Sequence, residues 1–233
     1  MIERYLQSVA ILGAMVVALT APARAAVIVN AANVGYNFSI DYAGQVGGAA
    51  TPQISALGNY TFTGLSNGGL TYNFDYALTN DSTTTARLSG FGFNTNPNAG
   101  SAVVTGAFNN SYISSNYPEG FGTVDVCFTD SGGSCAGGGN GGFYNPDVGT
   151  GSFALTFAQV MNAVTFDSFV TRFQSISGVS GGTSGIGIGS VVQGSTPITA
   201  PEPATWLMMM GGFGLMGWAI RREKAMRRIP ARF

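Results

Sequence analysis

The stretch Leu70–Leu78, LTYNFDYAL, alternates without a break. Tyr72, Phe74 and Tyr76 fall on one side, and Thr71, Asn73 and Asp75 on the other. A period of two sends successive side chains to opposite faces of a strand, so this run is half-buried β-structure and not an amphipathic helix. The same period recurs at Val34–Asp41, Tyr60–Thr63, Ala86–Asn94, Ala102–Phe108, Thr123–Phe128, Ser152–Phe157, Val164–Phe173 and Ile186–Val192. Turn-forming groups separate these runs: Asn67-Gly68-Gly69, Asn80-Asp81-Ser82, Asn96-Pro97-Asn98, Tyr117-Pro118-Glu119-Gly120 and Asn145-Pro146-Asp147. Eight or nine short strands at such spacings predict an all-β fold, an antiparallel β-sandwich or jelly-roll-like domain. The one helical candidate is short, Phe157–Val164. Glycine is heaviest over Gly132–Gly151, which reads as a flexible or closely packed loop, and Ser180–Gly189 reads as a second loose segment.

The ends of the chain differ from this middle. Met1 to Ala25 has Arg4 in a short leading region, an apolar run from Val9 to Ala21, and the small-x-small triplet Ala23-Arg24-Ala25. That is the pattern of a secretory signal helix cut by signal peptidase after Ala25. Residues 26–193 then form the exported β-domain and 194–200 a linker. Export implies an oxidising compartment, so Cys127 and Cys135 are expected to be joined, closing a short loop worth about 2–3 kcal/mol.

Charge narrows the function classes. Residues 26–200 hold only two cations, Arg87 and Arg172, against eight acids, a net charge of −6, and the whole chain has no histidine. Such a surface does not bind nucleic acid or anionic lipid by electrostatics. The missing imidazole removes the commonest general base and metal ligand, so no triad is available. Asp75, Glu119, Asp125 and Asp167 leave a carboxylate pair for glycoside hydrolysis conceivable, though eight acids spread over nine strands always offer a suggestive pair. Asp130, Asn140, Asn145 and Asp147 beside the glycine-rich loop are calcium-type ligands, yet GGGNGG lacks the aspartate of the calcium-binding nonapeptide and no EF-hand loop is present. A solvated turn is the simpler reading, and no cofactor or metal is expected. Arg172, in the run Asp167–Gln174, is read as half of a structural ion pair. Alternation there puts Asp167 on the face of Phe169.

Residues 201–233 combine three parts in a fixed order: Pro201-Glu202-Pro203, an uncharged apolar run from Thr205 to Ile220, and a basic cluster of Arg221, Arg222, Lys224, Arg227, Arg228 and Arg232. A helix of about 16 residues is ~24 Å long, slightly short of a bilayer core. Trp206 and Arg221 sit where interfacial anchoring makes up the deficit. The run has no polar face, so it reads as a single C-terminal transmembrane helix, and the basic cluster fixes its far end as cytoplasmic. A simple tail anchor is the rival, but two prolines around a glutamate stay extended and exposed, which suits an enzyme-recognised site. This arrangement closely resembles the tripartite signal of the PEP-CTERM family of bacterial surface proteins. The resemblance implies that Pro201, Glu202 and Pro203 are read by an exosortase, a membrane-embedded transpeptidase. It also implies membrane anchoring before processing, then release to the cell surface or extracellular matrix.

The domain itself resembles the cistern group of that family at Asp41–Gly48 (DYAGQVGG), Gly90–Pro97 (GFGFNTNP), Val124–Gly142 and Phe169–Ile176 (FVTRFQSI). That group supplies kinship and no chemistry. The resulting reading is a non-enzymatic exported protein associated with exopolysaccharide or biofilm. Its alternatives are a carbohydrate-binding module that presents Tyr112, Tyr117, Phe143 and Tyr144 from loops and, more weakly, a carboxylate-dependent glycosidase. Aromatics exposed on loops favour the module; aromatics buried on sheet faces count against it.

Overall fold

The computed structural model describes residues 26–130, 132–137 and 141–193 of the 233-residue chain. They belong to the first of two units into which the chain divides, Met1–Ser195 and Thr196–Phe233. The expected signal segment, the linker 194–200 and the tail with its apolar run lie outside the described residues. Among the described residues no helix is long and apolar enough to cross a membrane.

Twelve strands are described: β1 (Val27–Asn30), β2 (Asn37–Val46), β3 (Ala49–Ser66), β4 (Thr71–Asn80), β5 (Arg87–Asn96), β6 (Ser101–Gly106), β7 (Asn110–Tyr117), β8 (Gly122–Thr129), β9 (Phe143–Tyr144), β10 (Val148–Thr156), β11 (Ala163–Gln174) and β12 (Ser184–Gln193). All pairings are antiparallel, in the order β6-β10-β4-β3-β2-β12-β11-β5-β8-β7, with β1 on β11 and β9 on β5. The all-β antiparallel expectation holds, as one nearly closed sheet.

Alternation sets which side chains point inward. On β4, Tyr72, Phe74, Tyr76 and Leu78 are buried while Asp75 is exposed. The rings from both halves of the sheet meet around Phe153 of β10. Its neighbours are Phe74 at 4.8 Å on β4, Phe128 at 5.2 Å on β8, and Phe93 at 5.7 Å and Phe91 at 6.0 Å on β5. Each such pair adds about 0.5–1.5 kcal/mol beyond the area it buries, so strands far apart in the order are held by one aromatic cluster.

Several expectations are corrected. The stretch Phe157–Val164 is not helical: residues 157–162 are irregular and β11 begins at Ala163. Phe157 instead packs edge-on against Tyr72 at 5.6 Å, and the Tyr72 hydroxyl donates to the Met161 carbonyl at 2.9 Å. These tertiary contacts outweigh a weak local preference. The loose reading of Ser180–Gly189 fails from Ser184 onward, because β12 lies in the middle of the sheet between β2 and β11. Its glycines leave room for neighbours. A Cβ on Gly189 would lie 2.5 Å from Phe169 Cβ and 2.7 Å from Ile40 Cγ2. The glycine-rich stretch Gly132–Gly151 also ends earlier than expected, since β9 and the start of β10 fall inside it.

Tyr60–Thr63 proves to be the end of an 18-residue strand. The strands β1, β7 and β9 were not expected at all. On β11 an extra residue separates Asp167, opposite Asn94, from Val170, opposite Gly92, with Ser168 at φ 52°. This bulge resets the alternation. Asp167 therefore shares the outer face with Val170, not the inner face with Phe169.

Two buried phenols form a hydrogen-bonded pair, Tyr42 to Tyr60 at 2.7 Å. Burial pushes both, and Tyr117, above the ordinary value near 10. The unfolded chain therefore releases these protons at lower pH than the folded one. The stabilisation is complete below about pH 10 and falls as pH rises past it. Urea midpoints are expected to stay level up to about pH 9.5 and drop above pH 10, with part of the phenolate absorbance appearing only together with unfolding. Phe153→Ala removes the ring on which both halves converge and is expected to lower stability by about 3–5 kcal/mol in equilibrium denaturation, with the Cys127–Cys135 link still formed.

Candidate functional site

Strand β5 is buried on both faces over Arg87–Phe93. Its inner side chains Phe91 and Phe93 join the aromatic cluster, so something else must cover Arg87, Ser89 and Gly92 outside. That cover is the glycine-rich excursion after β8. Cys127 and Cys135 are joined, with Cα atoms 5.9 Å apart, and both are fully buried. They form a second, outer apolar cluster with Tyr117, Val124, Val170 and Ile186.

Both arginines of the domain fasten the same excursion. Arg87 Nη1 donates to Asp130 Oδ2 at 2.9 Å and to the Gly141 carbonyl, while Nη2 donates to Gln174 Oε1 at 2.9 Å. Arg172 Nε donates to the Ala136 carbonyl at 3.1 Å. Its Nη1 donates to Glu119 Oε1 at 3.2 Å and to the Gly185 carbonyl at 3.1 Å. Ser184 Oγ adds a bond to Glu119 Oε1 at 3.2 Å, and Gln174 Nε2 reaches the Ala136 carbonyl at 3.5 Å. Side chains of the Arg87–Asp130 pair are 5 % and 1 % exposed, so the pair is a buried one and its hydrogen bonds must offset a large desolvation cost.

Glycine is required where the excursion lies flat on the sheet. Gly142 has φ +81°, and a Cβ there would collide with the Leu88 carbonyl. The excursion is thus closely packed at its described ends. Tyr117 lies in this layer with its hydroxyl buried and unbonded. Its proton is held by burial, a pull that the Arg172 guanidinium partly counters.

The carboxylates considered for hydrolysis are not gathered into one cleft. Glu119 is committed to Arg172. Asp125 Oδ2 accepts the Thr95 amide at 2.9 Å and its Oδ1 the Asn98 side chain at 3.2 Å. Asp167 accepts from Ser168 Oγ at 2.7 Å. Asp75 lines an open cleft on the opposite outer face with Thr63, Asn73, Val103, Thr105 and Ser152. Asp41 and Asp81, which the sequence did not single out, share another open cleft with Ser39 and Asn59. Both are exposed, so neither sits in the apolar pocket that prepares a carboxyl as a general acid.

The calcium-type ligands are likewise separated in their tasks. Asp130 pairs with Arg87, and Asn145 Oδ1 accepts the Ala86 amide at 3.1 Å. Asn140 lies outside the described residues. The four aromatics expected on loops sit on strands β7 and β9. Tyr117 is 1 % exposed, Phe143 packs on Phe108 at 6.0 Å, the Tyr112 hydroxyl accepts the Gly133 amide at 2.7 Å, and Tyr144 is the exposed one of the four. Sequence reasoning found the cysteines and Arg172 as half of an ion pair, and it named Glu119 and Asp130 for other chemistry, as a hydrolytic carboxylate and a calcium-type ligand. It missed Arg87 as an anchor and Gln174 as the link between the two arginines.

The remaining candidates, Ala23 and Ala25, Pro201 to Pro203 and the basic residues from Arg221 to Arg228, lie outside the described residues. A family model covers part of the tail. Residues 199–223 match the PEP-CTERM protein-sorting motif. The chain carries a PEP-CTERM sorting signal. The match contains the Pro-Glu-Pro triplet, the apolar run and the first basic residues, and the motif implies sorting by an exosortase with membrane-anchored transit to an extracellular location. No curated protein matches the chain. No solved structure matches it either.

The described layer yields a direct expectation. Arg87→Ala leaves Asp130 buried and charged and is expected to destabilise the domain by about 3–5 kcal/mol. Replacing both partners, Arg87→Met with Asp130→Leu, is expected to cost less than the single change. Urea denaturation of the two variants side by side measures the difference.

Proposed function

We propose that this chain is a non-enzymatic structural protein of the bacterial surface or extracellular matrix, delivered by the exosortase route and associated there with exopolysaccharide or biofilm. The observation that carries the reading is the sorting-motif match at residues 199–223. In this reading signal peptidase removes residues 1–25, the run Thr205–Ile220 holds the chain in the inner membrane, and exosortase acts at Pro201-Glu202-Pro203. The product is the domain of residues 26–193 with its linker.

The domain's chemistry supports a role as material and not as catalyst. Both arginines, with Asp130, Glu119 and Gln174, are spent on fastening its own outer layer, and it has no imidazole. The finer kinship to the cistern group rests on the resembling segments, which fall on β2 and its turn, on β5, on β8 with its excursion, and on β11. The carbohydrate-module alternative keeps only Tyr144 as an exposed ring, and the glycosidase alternative has no prepared carboxyl pair.

Expression of the full chain with and without a matching exosortase tests the sorting step by intact mass. Two tail states are expected, and Glu202→Ala is expected to leave the longer form alone even when the enzyme is present. An unchanged tail in every arm would sink the proposal.

A further inference from the structure

The sheet is nearly closed, and its two ends differ. Strand β6 pairs with β10 on one side, β7 pairs with β8, and no ladder joins β6 to β7. Ser111 Oγ donates to the Ala102 carbonyl at 2.6 Å across the seam, which bridges the ends by a side chain near the start of β6.

Natural sheets blunt free edges with lysine, proline, a bulge or an inward charge. Strand β7 carries such a device: Ser114 sits at φ 47°, which kinks the strand. Strand β6 has none. Its sequence SAVVTG contains no charge and no proline, and its pairing with β10 runs without a register shift from Ser101 to Gly106. Val103 is 63 % exposed on the outer face. Inside, Ala102 and Val104 pack against the core yet are only half-buried, whereas Phe153 and Leu155 beside them on β10 are buried. The core is therefore incompletely covered along this edge.

We propose that β6 is a self-association edge, pairing antiparallel with β6 of a second copy of this chain. The charge distribution favours a second copy at this place. Residues 26–193 carry a net charge of −6 with both arginines buried, so two copies repel over most of their surfaces. Neither β6 nor β7 contains a charged residue. Beyond β7 the first acid is Asp125 on β8, whose carboxylate is taken by Thr95 and Asn98; from β6 the nearest acid in register is Asp75, reached from Thr105 through Ser152, two strands inward. At about 4.8 Å per strand, that places it about a Debye length from the edge at physiological salt. Antiparallel β6–β6 pairing is isologous and closes as a two-fold dimer, satisfying the edge amides and covering Ala102 and Val104. The contact is a single pair of strands, so the dimer belongs to the small, weak class and forms at about micromolar concentration or above. This inference stands apart from the sorting proposal, since the edge lies wholly within the described domain.

The test uses the full chain in mild detergent. Single cysteines are placed in turn at Val103 and Thr105, with Asn59→Cys, exposed on β3, as the control for association through any other part. Under mild oxidation, Val103→Cys or Thr105→Cys is expected to give a reducible dimer while Asn59→Cys stays monomeric. Light scattering across a concentration series is expected to show Val103→Lys weakening association by about tenfold or more, with the Cys127–Cys135 link intact as the sign of folding. Monomer at every concentration overturns the proposal. So does equal cross-linking through Asn59→Cys, or a Val103→Cys chain that remains monomeric because β7 closes the seam within one copy.

Discussion

Coverage of β5 on both faces is the constraint from which the rest of this domain follows. An inner face made of Phe91 and Phe93 fits an ordinary curled sheet. An outer face that also excludes water needs a lid, and the described residues hold no α-helix to supply one. It uses the excursion between β8 and β9. A glycine-rich segment has little side chain with which to hold itself down, so its attachments come from elsewhere: a disulfide at its root and two guanidinium groups from the strands below. Glycine and arginine are thus two halves of one solution. Glycine lets the backbone lie against Leu88, and the arginines give its carbonyls partners that water no longer provides.

Placing both arginines in that layer changes the exterior. Each is less than a tenth exposed and each faces an acid. The charge that remains on the surface of residues 26–193 is acidic, set among serine, threonine, asparagine and scattered exposed apolar side chains such as Val34, Val103 and Val148. Such a domain stays soluble through like-charge repulsion and hydration, and it offers no cation to an anionic polymer. Ion pairing here is a matter of internal architecture. A stabilising role comes less from Coulomb attraction than from the several hydrogen bonds that each guanidinium distributes over Ala136, Gly141, Gln174 and Gly185.

Fold class was legible because the aromatic alternation on β4 and β5 is strong and both faces of the sheet obey it. Strand β12 was only half legible, since alternate glycines carry no hydrophobic signal; their meaning lies in Phe169 and Ile40, residues distant in the chain. The bulge at Ser168 was illegible for a similar reason, because one inserted residue leaves composition untouched and still reverses every face after it. Strand β7 reads as polar loop from its serines and asparagines. The cysteine pair and the Arg172 ion pair were readable from compartment and charge count. Arg87 was not, because its partners, the Asp130 carboxylate, the Gly141 carbonyl and the Gln174 amide, lie far along the chain and belong to no motif. The sorting motif matched at residues 199–223 was legible from residue order, since a triplet, an apolar run and basic residues can be read without tertiary packing.

The position of β12 joins these two kinds of information. This last strand of the domain is not an edge strand; it sits between β2 and β11 and connects the two halves of the sheet. Until it arrives, β2 and β11 both present open edges, and the aromatic cluster around Phe153 has no continuous wall behind it. Long-range pairing of this kind is slow to form and exposes edges meanwhile. β12 ends at Gln193, and the matched motif begins at residue 199. On the proposed route, in which the amino end is exported first, the strand that completes the sheet and the sorting motif emerge almost together. On the proposed route, an apolar run retained in the membrane would keep each copy fixed there during the interval in which its sheet edges are unpaired. On that route, anchoring before release has a folding rationale as well as an addressing one: exosortase action at Pro201-Glu202-Pro203 frees a domain whose central strand has already had the chance to close it.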